Sequence, residues 1–157
     1  MNSLKYKTHF SGAVYHIYNR GNEKRRIFIK ESDYQYYIDK LEKALAKYHV
    51  SLISYCLMPN HVHLIVKQNS EDPIFRLISS LHTSYSMYFN NKYDRVGHLF
   101  QGRYRQKIIS DSEGLLYLTC YVHLNPLTAG IVKELTLYKW SSFSEYAGIG
   151  DKVICDK

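Results

Sequence analysis

The sequence predicts an α+β fold, in which helices pack against one antiparallel sheet. Two adjacent β-rich runs joined by a Pro-Asn turn predict a hairpin, and segments with helical periodicity lie on either side of it. Further strand-like runs occur near the start and after the second helix. The predicted order is therefore strand, helix, hairpin, helix, strand and helix. A chain of 157 residues is expected to form a single domain over residues 1–157, with its core from about 12 to 148.

The first half of the chain supplies a strand, a helix and the hairpin. Residues 12–19 read GAVYHIYN, a run of β-branched and aromatic residues that ends at a turn-forming RGN. From Ser32 to about Tyr48 the apolar residues recur at helical spacing, and Ser32 is a candidate N-cap. The runs VSLISYCLM and HVHLIVK then predict two strands that are joined through Pro59 and Asn60.

The second half of the chain supplies two more helices and a strand. A helix is predicted from about Pro73 to Asn90, because apolar residues recur there at helical spacing, and Pro73 suits the first helical turn. The run RYRQKII predicts a short strand. A third helix is predicted from near Ser112 to just before Pro126, since the residue ahead of a proline disfavours helical geometry. Trp140 is a candidate packing anchor for the aromatic tail, whose last residues are expected to fray.

Charge and cysteine content restrict the class of function. The chain has 21 Lys and Arg against 14 Asp and Glu, a net charge of +7, which favours a polyanionic partner. Three cysteines without a CxxC spacing argue against a disulfide framework and favour a reducing compartment. No apolar run approaches the roughly 18 residues of a membrane span, so we expect no membrane partner and a cytoplasmic protein.

Two histidines lie on the second predicted strand of the hairpin. A strand places His61 and His63 on one face and Val62 and Leu64 on the other. Two imidazoles on one face could share a divalent cation. The pattern alone is weak, since roughly 0.4 such triplets are expected by chance in a chain of this histidine content. An ordinary strand surface is the alternative, and a metal site would need a third ligand.

The third predicted helix carries a polar stripe. Tyr117, Tyr121 and Asn125 recur at four-residue intervals and therefore share one side of the helix. Most of the remaining circumference is apolar, so we expect this helix to be largely buried. An amide oxygen can ligate a hard cation and a phenol can attack phosphorus, which is suitable chemistry for a phosphodiester site. The alternative is that Tyr121 is a core aromatic, one of 16 tyrosines.

Two basic clusters, RGNEKRR and GRYRQK, could contact nucleic acid through phosphate-binding side chains and interleaved aromatics. The candidate DNA-binding residues are Arg20, Lys24, Arg25, Arg26, Arg103, Arg105 and Lys107. Strand alternation places the last three of these on one face, away from Tyr104. A solvated surface that aids solubility is the alternative.

Other polar residues have less defined roles. His98 is a candidate for a position beside the site, although it could also only order its loop, and Tyr117 is a second such candidate. His16 and His123 are interpreted as structural, because nothing in the sequence pairs with them.

Four segments in series resemble a known family. MPNHVHLIV, GHLFQGRYRQKII, YVHLNPLTAGIV and WSSFSEY, in this order and spacing, resemble the single-tyrosine HUH transposases of the insertion-sequence two-hundred-like superfamily. The branch they resemble most is that of the transposases associated with repetitive extragenic palindromes (REP). The resemblance extends from about Tyr15 to Gly148, nearly the whole chain.

This resemblance implies a ferredoxin-like HUH endonuclease fold and a set of site residues. His61 and His63 would be metal ligands, Tyr121 the catalytic nucleophile and Asn125 the third ligand. Insertion-sequence relatives commonly have glutamine at this last position, whereas the REP-associated branch has asparagine. The expected cofactor is Mg²⁺ or Mn²⁺, with no small-molecule cofactor. The expected partner is single-stranded, hairpin-bearing DNA, which is cut to give a 5′-phosphotyrosine and a free 3′-OH.

Several alternatives stay open. Relatives of the insertion-sequence type act as dimers that exchange the tyrosine helix, while the REP-associated branch acts as monomers, so a homodimer is one possibility. A non-catalytic or domesticated hairpin-binding domain is a second interpretation, against which the complete set of site residues argues. A two-histidine phosphoesterase acting on RNA ends would need two His-x-Ser/Thr motifs. His82 begins one, but Val62 leaves the other without a hydroxyl-bearing residue.

Overall fold

The computed structural model describes residues 9–157. Its strands are β1 (Val14–Arg20), β2 (Val50–Met58), β3 (His61–Gln68) and β4 (Arg105–Ile109). Its α-helices are α1 (Glu31–Lys47), α2 (Ile74–Lys92), α3 (Ser112–Thr128) and α4 (Phe143–Tyr146). Short 3₁₀ turns occupy Asn22–Lys24 and Leu135–Leu137. Within the described residues, no helix combines the length and the apolar character needed to cross a membrane.

The four strands form one antiparallel sheet in the order β2-β3-β1-β4. The sequential order β1-α1-β2-β3-α2-β4 with this pairing is the ferredoxin-like arrangement, so the expected α+β class and its sheet are confirmed. The hairpin turn falls at Pro59 and Asn60, as the sequence predicts. β1 and β3 are the two inner strands, and each of their backbones is therefore held by hydrogen bonds on both sides.

The two faces of the sheet are covered by different helices. On one face, Ile17 of β1 and Leu64 of β3 are fully buried in the main core with apolar residues of α1 and α2. Removing a side chain of that size from water stabilises the fold by about 2 kcal/mol. On the other face, Val122 of α3 packs with Cys56 and Ile65 in a smaller cluster. Alternation along β3 thus points His61 and His63 toward the α3 side.

The N-cap of α1 lies two residues before the predicted one, Ser32. The helix begins at Glu31 and its N-cap is Lys30, so Ser32 lies inside the first turn. The Asp33 carboxylate takes the capping role instead, because it accepts hydrogen bonds from the backbone N–H groups of Ile29 (2.9 Å) and Lys30 (2.8 Å).

The sequence predicts that α3 ends before Pro126, and this prediction is wrong. The helix continues to Thr128. A proline inside a helix removes the N–H that would bond the carbonyl four residues earlier, here that of Val122. The side-chain Nδ2 of Asn125 lies 3.5 Å from that carbonyl oxygen and 2.9 Å from the carbonyl oxygen of Tyr121. The asparagine therefore places a donor near the carbonyl that the proline leaves without one, at the outer limit of hydrogen-bond distance.

α3 is mostly exposed, so the expectation that it is largely buried is wrong. Its buried residues are Thr119, Val122, His123 and Pro126. Leu116, on another side, is 66% exposed. The apolar residues around this helix would allow burial on most sides, but the sheet packs against only one side. Tyr121 consequently stays 47% exposed.

The chain after α3 packs on the sheet, although the sequence predicts that its last residues fray. Trp140 stacks on Tyr34 with ring centroids 4.5 Å apart, as expected for a packing anchor. Near the end of the chain, Cys155 is buried and its N–H donates to the carboxylate of Glu145 at 2.9 Å. These contacts extend the described packing beyond the core expected to end near residue 148.

Asp33 links α1 to α2 through a fully buried carboxylate. Its Oδ1 lies 2.6 Å from Lys92 Nζ and its Oδ2 lies 2.7 Å from the Tyr93 hydroxyl. Burial by itself would raise the pKa of Asp33, but hydrogen bonds from Lys30, Lys92, Tyr93 and the Ile29 backbone lower the pKa to about 2. A lowered pKa in the folded state stabilises the fold above the unfolded-state value of about 4, and this stabilisation is lost as the pH falls toward 2.

Replacing Asp33 by asparagine should therefore lower the free energy of unfolding by about 2 kcal/mol at pH 7. At pH 3 the loss should be about half as large, because protonation of the unfolded state removes part of the advantage. Urea unfolding at both pH values measures this. The control is Asp72→Asn, which breaks an exposed ion pair with Arg76 and should cost under about 1 kcal/mol. An equal loss for Asp33→Asn at both pH values would contradict the charge-based account.

Candidate active site

The α3 side of the sheet carries a band of polar side chains across three strands. Tyr18 on β1 lies directly opposite His63 on β3 and Arg105 on β4. One step further along, Arg20 lies opposite His61. Directly opposed residues of an antiparallel pair project to the same face. The two histidines therefore lie beside an aromatic ring and two cationic side chains.

A cavity of about 550 Å³ opens over this band, between the sheet and α3. Eight of the residues singled out by the sequence line it: His61, His63, Tyr121, Asn125, Arg20, Lys24, Arg103 and Arg105. Among its described lining residues there are four cationic side chains and no carboxylate. The surroundings of the histidines thus favour an anionic ligand.

The other candidates lie outside this cavity: Arg25, Arg26, Lys107, His98 and Tyr117. Arg25 forms an ion pair with Glu23 at 3.3 Å. Lys107 lies on the same face of the sheet as Arg105, as alternation predicts, and opposite His16. Tyr117 is 70% exposed, one turn before Tyr121.

His98 lines a neighbouring cavity of about 530 Å³, formed by α2 and the loop that precedes β4. This second cavity shares Asn19 and Arg103 with the first. His98 therefore lies near the histidine-tyrosine cavity without lining it.

His61 is oriented by the residue that precedes it. Its Nδ1 lies 2.7 Å from the side-chain oxygen of Asn60, so Nδ1–H donates to that oxygen and the lone pair of the neutral ring is on Nε2. Burial lowers the pKa of His61, and a hydrogen bond with the Asn125 side chain partly opposes this shift. The imidazole is thus favoured in its neutral form, which is the form that binds metal ions.

His63 is oriented by a residue that the sequence interpretation treats as merely structural. Its Nδ1 lies 3.0 Å from Nε2 of His16, and the two rings stack with centroids 5.2 Å apart. Burial, with smaller contributions from His61 and His16, lowers the pKa of His63 to about 3. His16 therefore contacts the site residue His63 without lining the cavity. The signal that could have located it is the pairing register of β1 with β3, which no single segment contains.

His123, the other histidine interpreted as structural, lies apart from the cavity lining. Its Nε2 is 2.7 Å from the hydroxyl of Ser142, and this hydroxyl also accepts from the backbone N–H of Tyr55 at 2.9 Å. The contact ties α3 to the C-terminal tail and to β2, in keeping with a structural role.

The Tyr121 ring lies against His16 and His63, the two histidines that contact each other. Its ring meets His63 edge-on at 5.7 Å between centroids, and His16 edge-on at 6.3 Å. The next residue, Val122, is fully buried and fixes the rotation of α3 about its axis. The half-exposed phenol is therefore held at the cavity but remains accessible to a ligand.

Asn125 completes a donor set that fits a divalent cation. Its Nδ2 donates to backbone carbonyls of α3, and its side chain also forms a hydrogen bond with His61, so the amide lies beside that imidazole. In residues 9–157 no group of three His, Cys, Asp or Glu side chains has a metal-binding arrangement. The Asn125 amide oxygen can therefore serve as a third ligand beside His61 and His63, as the family resemblance implies. Two neutral imidazoles and an amide oxygen are acceptable ligands for Mg²⁺ or Mn²⁺, with water completing the coordination.

Comparison with known structures places this fold among transposases. A REP-associated tyrosine transposase solved bound to a REP hairpin superimposes with a TM-score of 0.74 at 16% identity, covering 99% of this chain and 98% of that one. A candidate transposase from Deinococcus radiodurans R1 gives a TM-score of 0.53 at 14% identity, covering 76% and 95%. At these identities the likeness establishes the fold. The fold is that of the HUH transposases.

The sequence comparison defines the family. The profile described as "Transposase IS200 like" matches residues 9–125. Since this match covers well over half of the chain, the protein belongs to the IS200-like transposase family. No protein with a curated description matches the sequence. The family and the fold support an enzymatic role in DNA transposition.

The relation between Asn125 and Pro126 can be tested through stability. Asn125→Ala removes the donor that compensates for the proline and should cost about 1 kcal/mol of unfolding free energy. In a Pro126→Ala background the restored N–H bonds the Val122 carbonyl, so the same substitution should cost about half as much. Urea unfolding of the four proteins in this double-mutant cycle gives the coupling. An identical cost in both backgrounds would mean that the asparagine does not compensate for the proline.

Proposed function

We propose that the protein is a metal-dependent strand transferase that cuts and joins single-stranded, hairpin-bearing DNA with Tyr121 as nucleophile. The observation that carries the proposal is the meeting of Tyr121 with the His61, His63 and Asn125 donor set in one cationic cavity. Membership of a transposase family supports the class of reaction. The hairpin bound in the structure of the REP-associated relative supports the form of the substrate.

In the proposed cleavage step, the Tyr121 oxygen attacks the phosphorus of a DNA phosphodiester. The bond from phosphorus to the 3′ oxygen breaks, which leaves a 5′-phosphotyrosine on the protein and a 3′-OH on the released strand. The phenolic proton leaves to solvent, which the half-exposed side chain can reach, and the 3′ oxygen takes up a proton. Because the number of phosphoester bonds is unchanged, a 3′-OH can later reverse the step and join strands without a nucleotide cofactor.

His61, His63 and Asn125 are the residues that would hold Mg²⁺ or Mn²⁺ for this step. A divalent cation there would supply neutralisation of the charge that develops on the phosphate oxygens. The protein contributes the orientation of the three ligands. Asn60 and His16 each contact the Nδ1 of one imidazole, and the Asn125 amide is held by the backbone of α3.

The cationic rim is proposed to hold the DNA backbone. Arg20, Lys24, Arg103 and Arg105 line the cavity, where charge-assisted hydrogen bonds to phosphate would position the scissile bond. Arg25, Arg26 and Lys107 lie outside it and are proposed to contact flanking DNA. Such contacts position a strand without reading its sequence, so recognition of the substrate is attributed to the shape of the hairpin.

The biological role we propose is transposition or mobilisation of repeats, as in the REP-associated branch that the sequence resembles. A non-catalytic hairpin-binding domain is the competing function. The competing function requires hairpin binding without a covalent intermediate, so covalent attachment to DNA discriminates between the two.

Covalent capture of DNA tests the proposal. With Mg²⁺ or Mn²⁺ and a labelled hairpin oligonucleotide, the wild-type protein should form a DNA adduct that survives denaturation, and EDTA should abolish it. Tyr121→Phe should form none, because it lacks the attacking oxygen but retains the ring. Tyr117→Phe removes a hydroxyl from the same side of α3 outside the cavity and should still form the adduct.

Two results would overturn this assignment. An adduct formed by Tyr121→Phe would show that another residue is the nucleophile. Tight hairpin binding by the wild type without any adduct, under every metal condition, would favour the non-catalytic function.

A further inference from the structure

His16 places its Nε2 atom against His63, on the side of the ring that faces β1. It is 6% exposed, and its Nε2 lies 3.0 Å from Nδ1 of His63, which is also 6% exposed. The two rings are nearly parallel, with an interplanar angle of 16°. A hydrogen bond between two buried side chains of neighbouring strands fixes both rings, since neither has water to replace its partner.

The backbone and the neighbouring ring hold His16 in place. β1 is an inner strand, and His16 lies between its paired residues Ile65 on β3 and Lys107 on β4. The Tyr18 ring lies beside it, with centroids 5.3 Å apart. The Nε2 atom of His16 is therefore presented to His63 from a rigid part of the sheet.

We propose that His16 is a positioning residue for the metal site: its Nε2 accepts the Nδ1–H of His63 and thereby directs Nε2 of His63 into the cavity. This inference rests on the proposed function, because it assigns His63 as a ligand. Metal-binding imidazoles ordinarily donate their second N–H to a fixed acceptor, which sets the tautomer and the ring orientation. Asn60 stands in the same relation to Nδ1 of His61. Each of the two imidazoles thus has its own acceptor, one from the turn and one from β1.

The acceptor role of His16 can be separated from its bulk by substitution. The side-chain oxygen of glutamine reaches about as far from the backbone as Nε2 of histidine, whereas that of asparagine is one bond shorter. His16→Gln should keep an acceptor for the Nδ1–H of His63, and His16→Asn should not. His16→Leu fills the space without offering an acceptor.

Calorimetric titration of the full-length protein with Mn²⁺ measures the effect. We expect His16→Gln to bind within about 3-fold of the wild type, and His16→Asn and His16→Leu to bind about 10- to 100-fold more weakly. Nitrogen-15 NMR of the metal-free protein should show His63 with its proton on Nδ1 in the wild type and in His16→Gln, with loss of that preference in His16→Leu. Hairpin binding in EDTA should be unchanged in all variants, because His16 does not line the cavity.

Several outcomes would overturn the inference. Wild-type Mn²⁺ affinity in both His16→Asn and His16→Leu would show that no acceptor is needed. Equal weakening in His16→Gln and His16→Asn would show that the acceptor is not what matters, and this comparison holds even where His16→Leu fails to fold. A wild-type protein that binds no Mn²⁺ would overturn the proposed metal site and this inference together. If the wild type binds Mn²⁺ and all His16 variants bind it equally well, the positioning role of His16 is wrong but the proposed metal site stands.

Discussion

The antiparallel pairing of β1 with β3 is the interaction on which the candidate site depends. Ile17 and Leu64 lie directly opposite each other and are fully buried in the main core. Strand alternation then turns His16 and His63 to the α3 side. A shift of one residue in this register would place imidazoles in the apolar core and aliphatic side chains on the other face. The fold would then lose the free energy gained by burying several apolar side chains. The main core therefore fixes the face of the sheet on which the histidines lie, although none of these histidines is part of that core.

A second constraint is the narrow attachment of α3. The helix is held through Val122 on the sheet and through His123, which contacts the tail, while its other sides stay exposed. This arrangement is sufficient to fix the rotation of the helix, and it leaves Tyr121 open to a ligand as large as a DNA strand. A more deeply buried helix would be more stable but would close the cavity.

Local periodicity made much of this predictable. Strand alternation locates His61 and His63 on one face, helical periodicity puts Tyr121 and Asn125 on one side, and turn residues mark the hairpin. What could not be predicted depends on contacts between distant segments. The contact of His16 with His63 follows from the pairing of β1 with β3, which are distant in sequence. The exposure of α3 depends on which of its sides the sheet covers. The continuation of α3 past Pro126 is accompanied by a side-chain donor, Asn125, whose direction the sequence does not give.

We propose that β3 and α3 together form one metal-dependent centre for phosphoryl transfer. Anomalous diffraction from crystals of Tyr121→Phe, grown with Mn²⁺ and a hairpin oligonucleotide, tests it most directly. We expect a single Mn²⁺ in the cavity, bound by Nε2 of His61, Nε2 of His63 and the side-chain oxygen of Asn125, with a DNA phosphate beside residue 121. Mn²⁺ bound elsewhere, or a phosphate held in the cavity with no metal at these three side chains, would contradict it.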